Sequence, residues 1–362
     1  MALSPLVRPP RPLSAITTPS IRFVDQAEAA RLWDVALERF QDCNHAQGFG
    51  MGEFERGQGK QVVRMAYPDL AGARVLAQAV RHVPLPGIEI WGIRQGPLFQ
   101  AGVDERENRR HLHNFLQDVR ACLGKGQNPM PLHLTMGIAH DAETELVLRK
   151  NGFQRPHFER APSLTYRLEL SPDPGKNLAA LDAKWRNQLR KAESCRPVFR
   201  WGEQENLWEE YVKIHNEMCD RKKMRNFRLD RETAGALRRH LAGKHLVLLG
   251  DLDGRPVCGC VALIHGSKGY YLYAAASHEA RNHDLSNAMM WKMTEVLRER
   301  DVRELDLSGI DPIRNPGGAH FKRGVGGRLV TTLGDWEAGF RPFSKLIFDA
   351  LLAWRTLRQY QG

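Results

Sequence analysis

One stretch of the chain, from Gly269 to Gly327, constrains the fold more than any other. It begins as GYYLYAAASHEARNHD, continues with apolar residues at helical spacing, and ends as LDLSGIDP and HFKRGVGG. This order predicts a half-buried strand, a helix, a second strand that ends at a glycine, and a loop that carries Phe321 and Lys322 into a glycine-rich turn. A single lysine beside a strand end is a common way to meet a phosphate or a developing oxyanion. The stretch therefore points to group-transfer chemistry.

The residues before this stretch predict an antiparallel meander. The runs KHLVLLG and RPVCGCVALI flank Asp253-Gly254, a strong tight-turn pair, and HGSKG turns the chain again into YYLYAAA. A helix is predicted from about Asp284, placed as its cap, to Arg300. Helices, three meander strands, a long helix and another strand are the element order of the GNAT acyltransferase superfamily. The sequence thus predicts an α/β fold with a mixed sheet.

The first half repeats this mixed pattern more weakly, so two tandem GNAT-like domains are expected. Its predicted strands are 62–66, 88–93, 132–135 and 164–168, and its predicted helices are 70–80, 105–122 and 142–150. The second half is predicted to open with a helix over 177–193. We expect a disordered lead-in at 1–20, domains at 21–172 and 173–335, and an amphipathic helix within 336–362. That helix suits docking on the first domain, although a membrane-surface role stays open.

Charge and composition bound the class of protein. The formal net charge is +11 and 42% of the residues are hydrophobic, which fits a globular protein whose partners are polyanions. Colloidal solubility alone would explain the same charge, and the sequence leaves both interpretations open. The prolines of the N-terminal residues leave no apolar core for a signal peptide, so a cytoplasmic location is expected. The cysteines and histidines are dispersed, and no metal site is predicted. Cys258 and Cys260, two apart on a strand, are expected to be buried thiols on one face.

The helix over 178–193 carries the first candidate site. Arg186 and Arg190 lie four residues apart, so their guanidinium groups stand on one side of the helix and can hold a diphosphate. Lys191 flanks them. A solvated basic helix face would show the same spacing, and the sequence leaves both interpretations open.

A second basic run, CDRKKMRNFR at 219–228, carries Phe227 among its arginines. Basic side chains with an interleaved aromatic ring suit a nucleic-acid strand. A charged junction between a helix and a loop is an equally good interpretation of the same residues.

The loop that cradles the CoA pyrophosphate in acetyl-CoA enzymes of this fold is altered here. That loop has the pattern R/Q-x-x-G-x-G/A, because close backbone approach to phosphate needs glycine. The chain keeps Arg281 but places Asp284 and Ser286 at the two glycine positions. An acidic side chain there would repel a pyrophosphate, which argues against CoA as donor. The chain also lacks a G-x-x-x-x-G-K-[ST] loop, so its donor is expected to arrive already activated.

These segments carry a family resemblance. The runs KWRNQLRKAE, YYLYAAAS, LDLSGI, HFKRGVGG and LGDW closely resemble the FemABX-type aminoacyltransferases, tandem GNAT enzymes that add amino acids from aminoacyl-tRNA to peptidoglycan precursors. FERGQGKQVVRM followed by WGIRQGPLF resembles the family's opening pattern, with Gln95-Gly96-Pro97 where the family usually has R-G-P. The resemblance covers nearly the whole chain and is tightest between about 178 and 336.

The resemblance implies roles for matching positions. Lys322, in the family's F-K pattern with Phe321, would steady the oxyanion of the ester or the tRNA end. The basic helix residues would contact phosphates of the acceptor, while Asp306 and two tyrosines fall in strands beside the transfer site, where structural roles are an alternative. The implied catalytic residues are Lys322 and Asp306, and the implied substrate-binding residues are Arg186, Arg190, Lys191, Tyr271, Tyr273 and Phe321. No general base is assigned.

The function that this resemblance implies is aminoacyl transfer, without a cofactor, from aminoacyl-tRNA to an amino group of a peptidoglycan stem peptide. The expected partners are aminoacyl-tRNA and a nucleotide- or lipid-linked precursor, with peripheral contact to the inner membrane face. One alternative is a CoA-dependent N-acyltransferase acting on a polysaccharide or secondary-metabolite amine. Another is an RNA-binding module with an inactive transferase fold.

Overall fold

The computed structural model describes residues 21–100, 102–123, 131–341 and 345–353; the predicted lead-in at 1–20 and residues 354–362 of the predicted last helix lie outside these residues. A mixed sheet of thirteen strands crosses the whole molecule. Its strands are β1 (Arg22–Phe23), β2 (Val62–Tyr67), β3 (Val75–Leu85), β4 (Ile88–Arg94), β5 (Leu98–Phe99), β6 (Leu132–Ala139), β7 (Leu164–Glu169), β8 (Val198–Gly202), β9 (His245–Leu252), β10 (Arg255–His265), β11 (Lys268–Ala276), β12 (Glu304–Ile310) and β13 (Arg328–Ala338).

Helices cover both faces of the sheet. They are α1 (Gln26–Leu37), α2 (Phe49–Gly57), α3 (Glu105–Leu123), α4 (Ala142–Lys150), α5 (Pro174–Ala180), α6 (Ala183–Ser194), α7 (Glu205–Arg221), α8 (Arg231–His240), α9 (His278–Asn282), α10 (Leu285–Arg298), α11 (Pro316–Gly324) and α12 (345–353). None of the helices in the described residues combines the length and the apolar character that crossing a bilayer requires.

The two halves of the chain exchange strands at the middle of the sheet. The strand order is β1-β2-β3-β4-β6-β13-β7-β12-β11-β10-β9-β8, and β5 pairs with β3. Strand β7, from the first half, therefore pairs with β12 of the second half. Strand β13 pairs with β7 through Arg328–Thr331 and with β6 through residues 332–338. Because of this exchange, the predicted boundary at 172/173 divides the chain but not the sheet.

The main cores lie on either side of this junction. One packs α6 and α10 on the second half of the sheet and contains both Cys258 and Cys260, which confirms that these thiols are buried on one face. Another surrounds Trp336 of β13 with residues of the first half. The predicted α/β fold with tandem GNAT-like halves is confirmed.

Three local predictions were wrong. Residues 75–80 of the predicted helix 70–80 form the start of β3, because this central strand is buried on both faces and its alanine-rich run resembles a buried helix. The predicted helix 177–193 is broken between α5 and α6 at Leu181 and Asp182, both of which have extended backbone. Phe321 and Lys322 lie on α11 rather than in a loop.

The last described helix packs back on the first half. Phe348 of α12 contacts Ile88 and Ile90 of β4. Lys345 Nζ lies 2.7 Å from a carboxylate oxygen of Glu337, which is 0% exposed, and 2.5 Å from Asp349 Oδ1. The contact between α12 and the first half therefore combines apolar packing around Phe348 with a buried ion pair between Lys345 and Glu337.

We expect Lys345→Ala to destabilise the fold strongly, because it removes the nearer counter-charge of the buried Glu337 and leaves, among the described residues, only Arg160 with its Nη2 3.8 Å away. Breaking a buried ion pair in this way costs about 3–5 kcal/mol. Urea unfolding measures the change in the free energy of unfolding. The neighbouring variant Leu346→Ala removes a side chain that is 68% exposed and should change stability by no more than about 0.5 kcal/mol. Equal stability of the two variants would contradict this account of the α12 contact.

Candidate functional site

The two halves each contain a parallel strand pair that separates after a few residues. In the second half, β11 and β12 pair only from Lys268–Tyr270 with Glu304–Asp306. In the first half, β4 and β6 pair from Trp91–Arg94 with Leu132–Thr135. Beyond these residues the strands part, so backbone groups at the strand ends are available to other partners.

The end of β12 is held by a hydrogen-bond network around Asp306. Its Oδ1 accepts hydrogen bonds from Thr165 Oγ1 at 2.6 Å and from the Ser308 amide at 2.7 Å. Its Oδ2 accepts from Arg167 Nε at 3.2 Å. Ser308 has a left-handed backbone (φ 61°) at a register shift between β12 and β7. The carboxylate thus fixes a bulge that turns the next carbonyl groups away from the ladder.

Lys322 occupies the position that this bulge creates. Its Nζ donates to the carbonyl of Gly309 at 2.9 Å and lies 3.4 Å from that of Ser308. Burial lowers the pKa of Lys322 to about 8, against the opposing effect of the Asp306 carboxylate. The structure therefore brings the two predicted catalytic residues together, with Ser308 between them. An ammonium in this setting is available both as a charge and as a hydrogen-bond donor.

The basic helix α6 lies next to α11. Trp185 is buried, and its ring lies 5.9 Å from that of Phe321. On the outer side, Arg186 Nη1 donates to the Ala179 carbonyl at 3.2 Å and Arg190 Nη1 to Asn187 Oδ1 at 3.3 Å. Both partners are neutral, and neither guanidinium group has an ion-pair partner within 4 Å among the residues that the structure describes.

Lys191 differs from the two arginines because it is engaged in an ion pair. Its Nζ lies 2.8 Å from Asp284 Oδ2 and donates to the Asn282 carbonyl at 2.9 Å. Asp284 stands at the first turn of α10 with a left-handed backbone (φ 55°), a conformation that glycine adopts most easily. Asp284 is the N-cap residue of α10, as predicted, but its side chain accepts from Gln188 and Lys191 rather than from the helix.

The two predicted tyrosines have different surroundings. Tyr271 is 6% exposed, and its side chain packs in the second-half core with Cys258 and Cys260. Burial raises its pKa well above the usual value. Tyr273 is half-buried, with its ring 5.7 Å from that of His215. The environment of Tyr271 is that of a core residue, while Tyr273 retains an accessible edge.

A cavity of about 600 Å³ lies at the junction of the two halves. Its wall combines carboxylates, guanidinium groups, an ammonium and a phenol from both halves of the chain. This mixture of charges suits a ligand that carries both amino and carboxylate groups. The charged or phenolic residues of the wall are Asp42, Glu105, Arg109, Asp141, Arg167, Lys268, Tyr270, Glu304, Asp306 and Arg328.

Asp306 connects this cavity with Lys322. It lines the cavity, and its negative charge acts on the lysine. Lys322 itself is not among the cavity-lining residues. The site therefore has two parts. The cavity can hold one ligand, and Lys322, on the other side of Asp306 at the open strand end, can contact a second ligand.

Asp42 is the cavity residue that sequence reasoning missed. Its loop is clamped by the second half, since Lys268 Nζ donates to the Gln41 carbonyl at 2.5 Å and the Tyr270 hydroxyl to the Cys43 carbonyl at 3.0 Å. Asp42 Oδ1 accepts from the Phe99 amide at 3.0 Å. Among the described residues its carboxylate has no ion-pair partner within 4 Å, although Lys268 and Arg167 are near enough to influence it.

Burial raises the pKa of Asp42 to about 7. The hydrogen bond from the Phe99 amide and the two cations lower this pKa, but their effect is smaller than that of burial. A carboxyl group with such a pKa exchanges a proton near neutrality, as a general base must. No pattern of neighbouring residues marked Asp42, because its environment is built by residues 226 and 125 positions away in the chain, Lys268 and Arg167. In the described part of the chain, no group of three or more His, Cys, Asp or Glu residues is arranged to hold a metal ion.

The strand exchange, the separated strand pairs and the altered α10 turn define the class of protein, a FemABX-like tandem GNAT fold. A family model described as an acetyltransferase (GNAT) domain matches residues 181–323. A search of curated proteins by sequence finds no match.

Solved structures agree with this class. The crystal structure of FemX is similar with a TM-score of 0.77 and 16% identity, over 91% of this chain and 99% of that one. The C-terminal domain of a proposed lysylphosphatidylglycerol synthetase from Agrobacterium fabrum has a TM-score of 0.57 and 13% identity, over 90% and 96%. A tandem GNAT protein from the clavulanic acid biosynthesis pathway has a TM-score of 0.50 and 14% identity, over 89% and 99%. Together with the matched domain, these findings support an acyltransferase of the Fem/GNAT type.

The raised pKa of Asp42 predicts an unusual stability profile for Asp42→Asn. A carboxyl group whose pKa rises from 3.8 to about 7 on folding is protonated in both the folded and the unfolded state below pH 4, so its ionisation does not lower the stability of the fold there. The folded state loses stability as the pH rises from about 4 to about 7, because ionisation is easier in the unfolded chain. The variant keeps an oxygen for the Phe99 amide, so its stability relative to wild type should increase over this interval.

Thermal unfolding of both proteins between pH 4 and pH 8 measures this difference. Asp141→Asn, on the same cavity wall, is the control. Hydrogen bonds from Thr144 are the main cause that holds the pKa of Asp141 below its usual value of 3.8, so the stability of this variant relative to wild type should change mainly below about pH 4 and stay nearly constant over the measured interval. A flat profile for Asp42→Asn would contradict the buried, unpaired carboxyl group.

Proposed function

We propose that this protein transfers an aminoacyl group from aminoacyl-tRNA to an amino group of a peptidoglycan precursor stem peptide. The observation that carries the proposal is the Asp284 carboxylate at the first turn of α10, ion-paired with Lys191. A helix N-terminus of this kind would otherwise hold a pyrophosphate. With a carboxylate in that place, a donor other than CoA fits the site better. The similarity to FemX and the family resemblance of the sequence support the aminoacyl donor.

The two sides of Asp306 suggest how the substrates would meet. The acceptor would enter the junction cavity, whose mixed charges match a peptide with free amino and carboxylate groups. The ester of the donor would lie on the side of Lys322. Arg186 and Arg190, which have only neutral partners, would bind phosphates of a substrate. Both substrates would place the reaction in the cytoplasm, with the precursor's carrier lipid as a contact to the membrane.

The chemical step then follows from two groups. The acceptor ammonium loses a proton to Asp42, and the free amine attacks the ester carbonyl. A carbon–nitrogen bond forms and the carbon–oxygen bond of the ester breaks. The attacking nitrogen gives up a second proton to the departing tRNA oxygen, which leaves as a hydroxyl group. Lys322 donates to the oxygen on which negative charge develops, while Asp306 holds the strand end in place. No cofactor is needed, because the ester is already activated.

Lys322→Ala should lower the turnover number of aminoacyl transfer by about 10² to 10³, the effect of losing one oxyanion donor. The assay supplies purified protein with a pool of charged tRNA and cell-wall precursors and detects the product by mass spectrometry. Arg323→Ala, which removes the exposed neighbouring cation on α11, should leave the rate unchanged. An undiminished rate for Lys322→Ala would refute its role.

The pH dependence of the transfer rate should be bell-shaped. The rate rises as Asp42 ionises near pH 7 and falls as Lys322 loses its proton above about pH 8. Asp42→Asn should lower the rate by about 10² to 10⁴, the usual range for a general base, and abolish the rising limb. Lys322→Arg keeps its charge at high pH and should remove the falling limb while retaining part of the activity. A profile without these limbs in the wild-type enzyme would exclude this assignment.

One specific observation favours a second function, a CoA-dependent N-acyltransferase. The matched family model describes an acetyltransferase domain, and a tandem GNAT protein is among the similar structures. Titration calorimetry with acetyl-CoA separates the two functions. Tight binding would favour the acetyltransferase, whereas Asp284→Gly should be needed to obtain measurable binding if the proposed donor is correct.

A further inference from the structure

The segment 219–228 concentrates positive charge at the surface. It holds five cationic side chains and one carboxylate, Asp220, which forms an ion pair with Arg228. The other four cations are Arg221, Lys222, Lys223 and Arg225, and all four are exposed. Phe227, near the end of the segment, has 46% of its surface exposed although it is a large apolar residue.

This segment has a fixed shape despite its exposure. His215 Nε2 lies 2.9 Å from the Phe227 carbonyl, and Asn216 Oδ1 accepts from the Leu229 amide at 2.9 Å. The backbone is thus tied to α7 at Phe227 itself and two residues beyond it. An anchored loop that nevertheless presents an aromatic ring and cations to solvent is organised for a partner rather than for the core.

The segment lies at the open end of the strand pair that leads to Lys322. Arg221 Nη2 donates to the carbonyl of Ala276, the last residue of β11, at 2.7 Å. Strands β11 and β12 have already separated at this point. The segment therefore borders the mouth through which a long substrate would reach the strand ends.

The positive surface continues from the segment to α6. The Ala276 carbonyl that accepts from Arg221 lies two residues before α9 (His278–Asn282), and α9 carries the exposed Arg281. The last residue of α9, Asn282, accepts from Lys191 of α6. We name the surface formed by residues 221–228, Arg281, Arg186 and Arg190 the basic band. Its α6 end lies beside Phe321, because Trp185 packs against that ring.

We propose that the basic band binds the acceptor end of a tRNA and leads its 3′ terminus toward Lys322. The inference rests on the proposed function and names the surface on which the donor docks. Cations that lack counter-ions neutralise the phosphates of the strand, and an exposed aromatic ring stacks on its bases. A path from the exposed segment to α6 and then to Lys322 is continuous in the contacts described above. Neither the junction cavity nor the core offers a comparable run of unpaired cations in the described residues.

Charge removal in the band should weaken tRNA binding and reduce its salt dependence. The variant Lys222→Gln/Lys223→Gln/Arg225→Gln is titrated with deacylated tRNA by fluorescence anisotropy at several salt concentrations. Each lost phosphate contact lowers the slope of log K against log salt by about 0.7 to 0.9, so the slope should fall by about two. Affinity at low salt should fall at least about tenfold. The control Arg300→Gln/Arg303→Gln removes two exposed cations beyond the far end of α10 and should change neither quantity.

The aromatic ring gives an independent readout. Phe227→Ala should weaken binding by about 5- to 150-fold, the range for losing one stacked base, with the salt slope unchanged. If the loop had only a structural role, Phe227→Ala and the charge-removing variant would not differ in this way, with one changing affinity alone and the other changing the salt slope as well. The melting temperature of each variant shows that the fold is intact.

The outcomes distinguish the two proposals. If the wild-type protein does not bind tRNA, both the proposed function and this inference fail. If it binds and the band variants retain its affinity and slope, only this inference fails. Vesicles of phosphatidylglycerol provide the remaining comparison: band variants that lose vesicle binding and keep tRNA binding would show that the band is a membrane surface and overturn the inference.

Discussion

The pairing of β13 with both β6 and β7 is the constraint on which the rest of the structure depends. It makes one sheet out of two halves that are far apart in sequence, and it sets β7 beside β12. Arg167 of β7, Asp306 of β12 and Arg328 of β13 consequently line one cavity. Because a sheet register is fixed by backbone hydrogen bonds over several residues, the charged groups of this cavity are held with little freedom. The cavity therefore requires both halves.

The same pairing explains why the end of β12 is irregular. Successive carbonyl groups of a regular strand point to opposite sides, so only one of the Ser308 and Gly309 carbonyls would face β7. With the left-handed Ser308 and the register shift, both oxygens lie within 3.4 Å of Lys322 Nζ, and the Ser308 oxygen also accepts from Thr165 Oγ1 at 3.1 Å. A non-glycine residue in this conformation is costly, and such backbone persists where surrounding contacts over-determine it. Here Asp306, Thr165 and the Tyr271 carbonyl supply those contacts, the last by accepting from Ser308 Oγ at 2.8 Å.

The sequence predicted the helices and strands whose apolar residues recur at a regular spacing along the chain. It missed features that depend on residues far away in the sequence. The meander and α10 follow from turn residues and helical spacing, and so they were predicted well. Strand β3 was mistaken for a helix, since burial on both faces removes the alternation that identifies a strand. Tyr270 and Tyr271 face opposite sides of β11, and the resemblance alone could not tell which one lines the cavity. Asp42 acquires its character only from a clamp that the second half provides.

Asp284 shows how one residue can redirect what a fold recognises. Its exposed ion pair with Lys191 contributes little to stability, about 0 to 1 kcal/mol for surface pairs in general. Its electrostatic effect is larger, because the carboxylate places negative charge where the first turn of α10 would attract a phosphate. An anionic donor then has to be held elsewhere. Within the described part of the chain, the guanidinium groups of α6 and the cations of the basic band form no ion pair with a carboxylate, apart from Arg228. Under the proposed function, the carboxylate at the first turn of α10 and the extended basic surface beside it would be two parts of the same change in donor.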